Sequence, residues 1–170
     1  MTPPPLRAEE AREWLRLATR DLRVAELALH DTRPLVGEAL YHAQQAAEKA
    51  LKGFLVWHGV KYPLTHDIRQ LLDICAPLDR TLDPALAAAV DLTQFAVRFR
   101  YPGEEQPSPQ EARDRLPLAR KTYEEVRLTE PRKTRRLSSL SQGAFSAPRG
   151  QCCLSPYFAR LCRLLTVAMD

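Results

Sequence analysis

The chain has 170 residues, which fits one domain with a sizeable core, and its 45% apolar and 27% charged residues are ordinary for a soluble globular protein. The formal net charge of +4 is unevenly spread, because residues 1–130 carry 18 basic and 20 acidic side chains whereas residues 131–170 carry 7 basic and 1 acidic. The basic balance therefore belongs to the end of the chain, and it is weak evidence that the folded part binds nucleic acid.

Cysteine usage and hydropathy favour a reduced, cytoplasmic protein. Cys75 is the only cysteine before residue 131, and the others, Cys152, Cys153 and Cys162, make no CxxC pair with it or with one another. No run approaches the ~18 apolar residues of a membrane span, and the first residues lack an apolar signal core. We therefore predict a cytoplasmic location, with no metal, no cofactor and no membrane contact.

The first two predicted helices are long and amphipathic. Residues 6–30 form the first, with inward positions at helical spacing: Trp14, Leu17, Ala18, Leu22, Ala25 and Leu29. Residues 35–58 form the second, which is rich in good helix formers. Four alanines on its apolar face indicate close approach by a neighbouring helix, and Gly59 is expected to end it.

Three shorter helices are predicted to follow. Thr65 is expected to cap the third, and Asp83 is expected to cap a fourth that runs to about Arg98. The fifth is expected over residues 110–128, with Pro117 kinking it or delaying its start. Since no segment alternates like a strand, we predict an all-α fold, an up-and-down bundle of four to five helices.

The bundle is predicted to occupy residues 6–128. Residues 129–170 are predicted to form a poorly structured tail, because they are basic and Ser-rich and lack periodicity. A short amphipathic helix over residues 156–168 is the one element predicted within it.

The second helix gathers polar side chains. Four of them share one stripe because they are spaced four, three and four residues apart: Tyr41, Gln45, Glu48 and Lys52. His42 and Lys49 line an adjacent face. Glu48 and Lys52 are a favourable i,i+4 pair, so a solvated, salt-bridged face is one interpretation and a binding site is the other. His66, which follows a turn, is likewise open to a structural or a functional interpretation.

Several segments together suggest a family. WLRLATRDLRVAELAL, AQQAAEKALKGFLVWHG, YPLTHDIRQLL and RFRYPG occur in this order within roughly residues 8–127. This combination resembles the HEPN family (higher eukaryotes and prokaryotes nucleotide-binding domain). The resemblance implies a helical bundle, usually a homodimer, often encoded beside a minimal nucleotidyltransferase as a toxin–antitoxin pair. It also implies, for many members, a metal-independent RNase with an Arg-x(4–6)-His motif.

The chain departs from that RNase motif. The matching region, FAVRFRYPGEEQPSPQ, holds Arg98 and Arg100 but no histidine, and the last histidine of the chain is His66. A formal match, Arg23 with His30, falls on the first helix and is interpreted as coincidence. The resemblance therefore predicts a member without the usual RNase motif, and whether it is an enzyme stays open.

The polar residues at the matched positions suit phosphate or nucleotide binding, since lysine offers a point charge and arginine a bidentate fork. The predicted ligand-binding set is Gln45, Lys49, Lys52, His66, Arg98, Arg100 and Tyr101. Tyr101 is a candidate for stacking on a base, for modification by the nucleotidyltransferase partner, or for a dimer interface. Three functions follow: a nucleotide-binding module, an RNase with His66, Arg98 and Arg100 as catalytic candidates, or a structural helical adaptor.

Overall fold

The computed structural model describes residues 3–98 and 107–129. These ranges contain five α-helices, one 3₁₀ helix and no strand, so the all-α prediction is confirmed. The elements are α1 (Pro5–His30), α2 (Val36–His58), α3 (Ile68–Cys75), α4 (Leu82–Leu86), the 3₁₀ helix (Ala87–Ala96) and α5 (Pro109–Thr129). None of the described helices is long and apolar enough to cross a membrane. The predicted tail lies, from residue 130 onward, outside the described residues.

Helices α1 and α2 form an antiparallel pair, because Ala28 faces Leu35 at the turn and Leu15 faces Gly53 near the other end. Helix α5 packs against both, and it adds an ion pair between Arg120 and Glu26. The predicted alanine face of α2 lies in the core: Ala39, Ala43, Ala47 and Ala50 are each at most 3% exposed. Small side chains at these positions allow neighbouring helices to approach closely.

Gly59 ends α2 as predicted. It has φ of 73°, in the left-handed region, and its N–H donates to the Val56 carbonyl at 3.0 Å. The N–H of Val60 donates to the Leu55 carbonyl at 2.9 Å, which completes a Schellman motif. The chain therefore turns sharply into the segment that leads to His66.

The predicted cap of α3 is wrong by two residues. Asp67 is the N-cap, and its carboxylate accepts from the N–H groups of Arg69 at 2.8 Å and Gln70 at 3.3 Å. The Thr65 hydroxyl instead accepts from the Asp67 N–H at 3.1 Å. Thr65 therefore shapes the turn before the helix, and Asp67 satisfies the first exposed donors of the helix.

The predicted fourth helix is wrong in type and in its cap. Helix α4 begins at Leu82 and is followed by the 3₁₀ helix. Its N-cap is Thr81, which makes no side-chain cap hydrogen bond, and Asp83 lies inside the helix, where its carboxylate accepts from Arg69 at 2.5 Å. The buried positions explain the 3₁₀ form, since they recur every third residue: Leu86, Ala89, Leu92 and Phe95. A helix with three residues per turn places such positions on one face, whereas an α-helix spreads them apart.

Pro117 lies inside α5 and does not delay its start, which is at Pro109. The first turn is stabilised by the Ser108 hydroxyl, which accepts from the Glu111 N–H at 3.1 Å. The helix therefore begins one residue earlier than predicted.

Gly53 allows the close approach of α1 to α2. A Cβ there would lie 3.1 Å from the Trp14 Cβ and 3.3 Å from the Ala11 carbonyl oxygen. Intrinsic helix propensity favours alanine over glycine by ~1 kcal/mol, but overpacking against a rigid helix costs ~1–3 kcal/mol. We predict that Gly53→Ala lowers the free energy of unfolding by about 1 kcal/mol, measured by urea denaturation. Gly53→Val should cost more, and a Gly53→Ala protein more stable than the wild type would contradict the prediction.

Candidate functional site

Glu48 is a buried carboxylate in the middle of α2, and it is only 4% exposed. Its two oxygens have different partners. Oε1 accepts from the Lys52 ammonium at 2.7 Å, whereas Oε2 accepts from the Gln44 amide at 2.9 Å and lies 3.0 Å from His66 Nδ1. The Gln45 amide donates to Gln44 at 2.8 Å, and its nitrogen also lies 3.5 Å from Oε2. Gln44, Gln45, Glu48, Lys52 and His66 are called the Glu48 network below.

His66 lies at the rim of this network, with 59% of its side chain exposed. Its backbone carbonyl accepts from the Gln44 amide at 3.1 Å, so both its main chain and its ring are attached to α2. Two residues later, the Ile68 N–H donates to the Thr93 hydroxyl of the 3₁₀ helix at 3.1 Å. The corner that carries His66 is therefore fixed from both sides, with the imidazole facing solvent.

The Glu48 carboxylate is held in its charged form. Burial raises its pKa, but the hydrogen bonds from Lys52, His66 and Gln44, together with the lysine charge, outweigh burial and lower the pKa below its ordinary value. The site therefore contains a fixed negative charge beneath an exposed imidazole.

Lys52 is enclosed as well as paired. Its side chain is 8% exposed, and its ammonium lies 5.5 Å from the Tyr62 ring centroid and 6.0 Å from that of Trp14. Both distances fit cation–π contacts. Lys52 is therefore an internal counter-charge to Glu48 rather than a solvated point charge.

Lys49 belongs to a second network on the other flank of α2. Its ammonium pairs with Asp21 of α1, a residue that is 7% exposed. The other carboxylate oxygen of Asp21 lies 2.8 Å from His42 Nδ1. This Asp21 network joins α1 to α2, and it repeats the scheme of the Glu48 network: one buried carboxylate, one lysine and one histidine.

The predicted site residues that the structure describes thus fall into three groups. Gln45, Lys52 and His66 come together, through Glu48, and Lys49 lies in the Asp21 network. Arg98 donates to Gln94 at 3.0 Å and lies 3.8 Å from a Glu111 oxygen. Arg100 and Tyr101 lie outside the described residues.

The predicted binding set omits Glu48 and Gln44, the residues that join the others. Glu48 lies on the same predicted stripe as Gln45 and Lys52, where an ordinary helical salt bridge also explains it. Gln44 is fully buried, at 0% exposure. The sequence feature that could have indicated its role is a pair of adjacent glutamines in an alanine-rich helix. A buried amide needs a partner, and a neighbouring carboxylate is a suitable acceptor.

Within the part of the chain that the structure describes, no group of three or more His, Cys, Asp or Glu side chains is arranged to hold a metal ion.

Comparison of the chain with known protein families identifies a match over most of its described residues. A family model described as "HEPN domain" matches residues 11–129. The crystal structure of TT1696 from Thermus thermophilus is similar to this chain, with a TM-score of 0.58 and 32% sequence identity, over 69% of this chain and 96% of that one. No curated protein matches the chain.

The Glu48 carboxylate gives the protein a defined acid sensitivity. Because its pKa in the folded state is below the ordinary value of 4.5, its stabilising effect is complete above pH 4.5 and is lost as the pH falls through the folded value. We predict that Glu48→Gln lowers the free energy of unfolding at neutral pH by about 3 kcal/mol, because Lys52 loses its counter-charge. The difference from the wild type should shrink below pH 4.5, measured by urea denaturation across pH.

Glu13→Gln is the matched control, because the Glu13 side chain is 55% exposed. It should change stability by less than about 0.5 kcal/mol at any pH. A Glu48→Gln protein with wild-type stability at neutral pH would show that the Glu48 network does not contribute to the free energy of unfolding.

Proposed function

The chain belongs to the HEPN family, and we propose that it is a nucleotide-binding module whose ligand presents a phosphate to the exposed edge of His66. The observation that carries this proposal is the attachment of a largely exposed imidazole to a buried, ionised carboxylate. Groups of this kind are expensive to bury and are concentrated at functional sites.

The ion pairs in the interior limit which side chains can contact a phosphate. Lys52 and Lys49 each have a buried carboxylate as partner, so neither offers an uncompensated charge. His66 and Arg98 are better suited, since their side chains are 59% and 34% exposed. Arg100 and Tyr101 remain predicted contacts.

The protonation chemistry of an imidazole fits this role. An imidazolium donates from both ring nitrogens, so Nδ1 of His66 can remain on Glu48 while Nε2 donates to a phosphate oxygen. The charge-assisted hydrogen bond to the anion would then be supported from behind by the carboxylate.

Family membership supports two further parts of the proposal: a homodimer, and pairing with a minimal nucleotidyltransferase in a toxin–antitoxin-like system. Both parts concern assembly, either with a second copy of this chain or with a different protein. Co-expression with the product of a neighbouring nucleotidyltransferase gene, followed by size-exclusion chromatography with light scattering, measures both. A monomer that elutes apart from such a product would contradict both parts.

We predict that AMP or ATP raises the melting temperature of the wild type, because a ligand that binds only the native state stabilises it by RT ln(1 + [L]/Kd). At 100 times Kd this is ~2.7 kcal/mol. His66→Ala and Arg98→Ala should greatly reduce the shift, measured by differential scanning fluorimetry at about pH 6 and pH 8.

His30→Ala is the matched control, since His30 is exposed at the end of α1, where its Nδ1 lies 2.7 Å from the Glu26 carbonyl oxygen of the same helix. It should retain the full shift. A wild type that neither AMP nor ATP stabilises at either pH would contradict nucleotide binding, and it would favour the structural adaptor.

A second function, a metal-independent RNase, is favoured by one specific observation. Glu48 holds Nδ1 of His66, so a neutral ring would carry its proton on Nδ1 and leave the Nε2 lone pair as a base. Arg98 or Arg100 would then stabilise the charge on the phosphorus centre. A general base needs a neutral imidazole, whereas the charge-assisted contact to a phosphate needs an imidazolium, so the two functions use different protonation states of the same side chain.

The RNase alternative predicts cleavage of single-stranded RNA in the presence of EDTA, measured on denaturing gels. His66→Ala should reduce the rate by about 10²-fold or more, as expected for loss of a general base. His30→Ala should cleave normally. Uncut RNA after prolonged incubation with the wild type, or cleavage that survives His66→Ala, would eliminate this alternative.

A further inference from the structure

Two aromatic rings enclose the lysine of the Glu48 network. Trp14 of α1 and Tyr62 of the α2–α3 connection meet edge to face, with centroids 5.6 Å apart and planes at 86°. The Lys52 ammonium lies within 6.0 Å of both centroids, and the acceptor described for it is Glu48 Oε1. These three side chains come from three different segments of the chain.

We propose that Trp14 and Tyr62 are positioning residues for His66, which act by confining Lys52 to one oxygen of Glu48. The rings act on the imidazole through two intermediate side chains, and neither ring is assigned a ligand contact. The inference rests on the proposed function only where ligand binding is its readout.

The two aromatic rings matter because the two oxygens of Glu48 have different partners. Lys52 occupies Oε1, and Oε2 is left for Gln44 and His66. An ammonium has three donors on a flexible stem, so an unconfined lysine can bridge both carboxylate oxygens. Bridging would place a positive charge beside His66 Nδ1 and would compete for its acceptor.

The connection between α2 and α3 is attached at both of its ends by this arrangement. Tyr62 contacts Lys52 through its ring, and His66, four residues later, contacts Glu48 through Nδ1. Between them, Leu64 is fully exposed. The segment is therefore held at two points on α2 while its middle faces solvent.

Tyr62 is suited to this contact because its phenol stays neutral. Burial and the charge of Glu10 on α1 raise its pKa, although a hydrogen bond with Trp14 acts in the opposite direction. A neutral ring keeps the electron-rich face that attracts a cation, without introducing a phenolate that would compete for the ammonium. Glu10, Glu48 and Lys52 are the charged groups identified around this pair of rings.

The test compares substitutions that keep an aromatic ring with substitutions that keep only apolar bulk. Tyr62→Phe and Trp14→Phe retain a ring, whereas Tyr62→Leu and Trp14→Leu do not. The readout is the tautomer of His66, from imidazole ¹⁵N chemical shifts at about pH 9, where histidine side chains are neutral. This measurement needs no ligand, and circular dichroism verifies that each variant is folded.

We expect the wild type and both phenylalanine variants to hold the Nδ1–H tautomer, which donates to Glu48. Both leucine variants should lose at least about half of that population to the Nε2–H tautomer that unconstrained histidine prefers. The affinity for AMP should fall roughly threefold to tenfold in the leucine variants, because the released lysine would compete for the carboxylate oxygen that holds His66.

The outcomes separate this inference from the proposed function. A leucine variant that is folded and keeps the wild-type tautomer overturns the inference, and so does a phenylalanine variant that behaves like its leucine counterpart. If the tautomer changes as expected but no variant binds AMP, the positioning role stands and nucleotide binding fails. If one leucine variant does not fold, the other decides the question.

Discussion

The structure depends on one constraint: an ionised carboxylate buried in an alanine-rich helix must have partners that are themselves held in place. Glu48 meets this requirement with partners from two segments: Gln44 and Lys52 lie on its own helix, and His66 lies on the α2–α3 connection. Removing one partner from such a group leaves an uncompensated charge, which costs far more than a surface pair contributes. The position of His66 is therefore a consequence of how Glu48 is neutralised.

The Asp21 network applies the same constraint between the two longest helices. Asp21 reaches from α1 to Lys49 and His42 on α2. Two buried carboxylates, each paired with one lysine and one histidine, thus join α2 to α1 and to the corner before α3.

The sequence predicted those features that local chemistry determines. Helical spacing located the long helices, and Gly59 was identified as the end of α2 because few other residues tolerate its backbone. Asp83 was misassigned because the chain enters the helix two residues earlier, at the N-cap Thr81, and the Asp83 carboxylate lies in the first turn, where it accepts from Arg69. The 3₁₀ helix was hidden because a three-residue period resembles a helical one over so few turns. In the site, the stripe on α2 was visible, but its burial by α1 and the α3 corner was not.

The same reasoning changes how the lysines of this helix are interpreted. A lysine in a family associated with nucleotides suggests a phosphate contact, yet Lys49 and Lys52 both lie against carboxylates that are almost fully buried. A phosphate that displaced either carboxylate would leave that carboxylate unpaired in the interior, and this cost would cancel the new contact. An anion is therefore bound most readily by a group that can gain or exchange a hydrogen-bond partner at little cost in free energy. His66 meets that condition, because it can keep Glu48 on one nitrogen while the other binds a ligand.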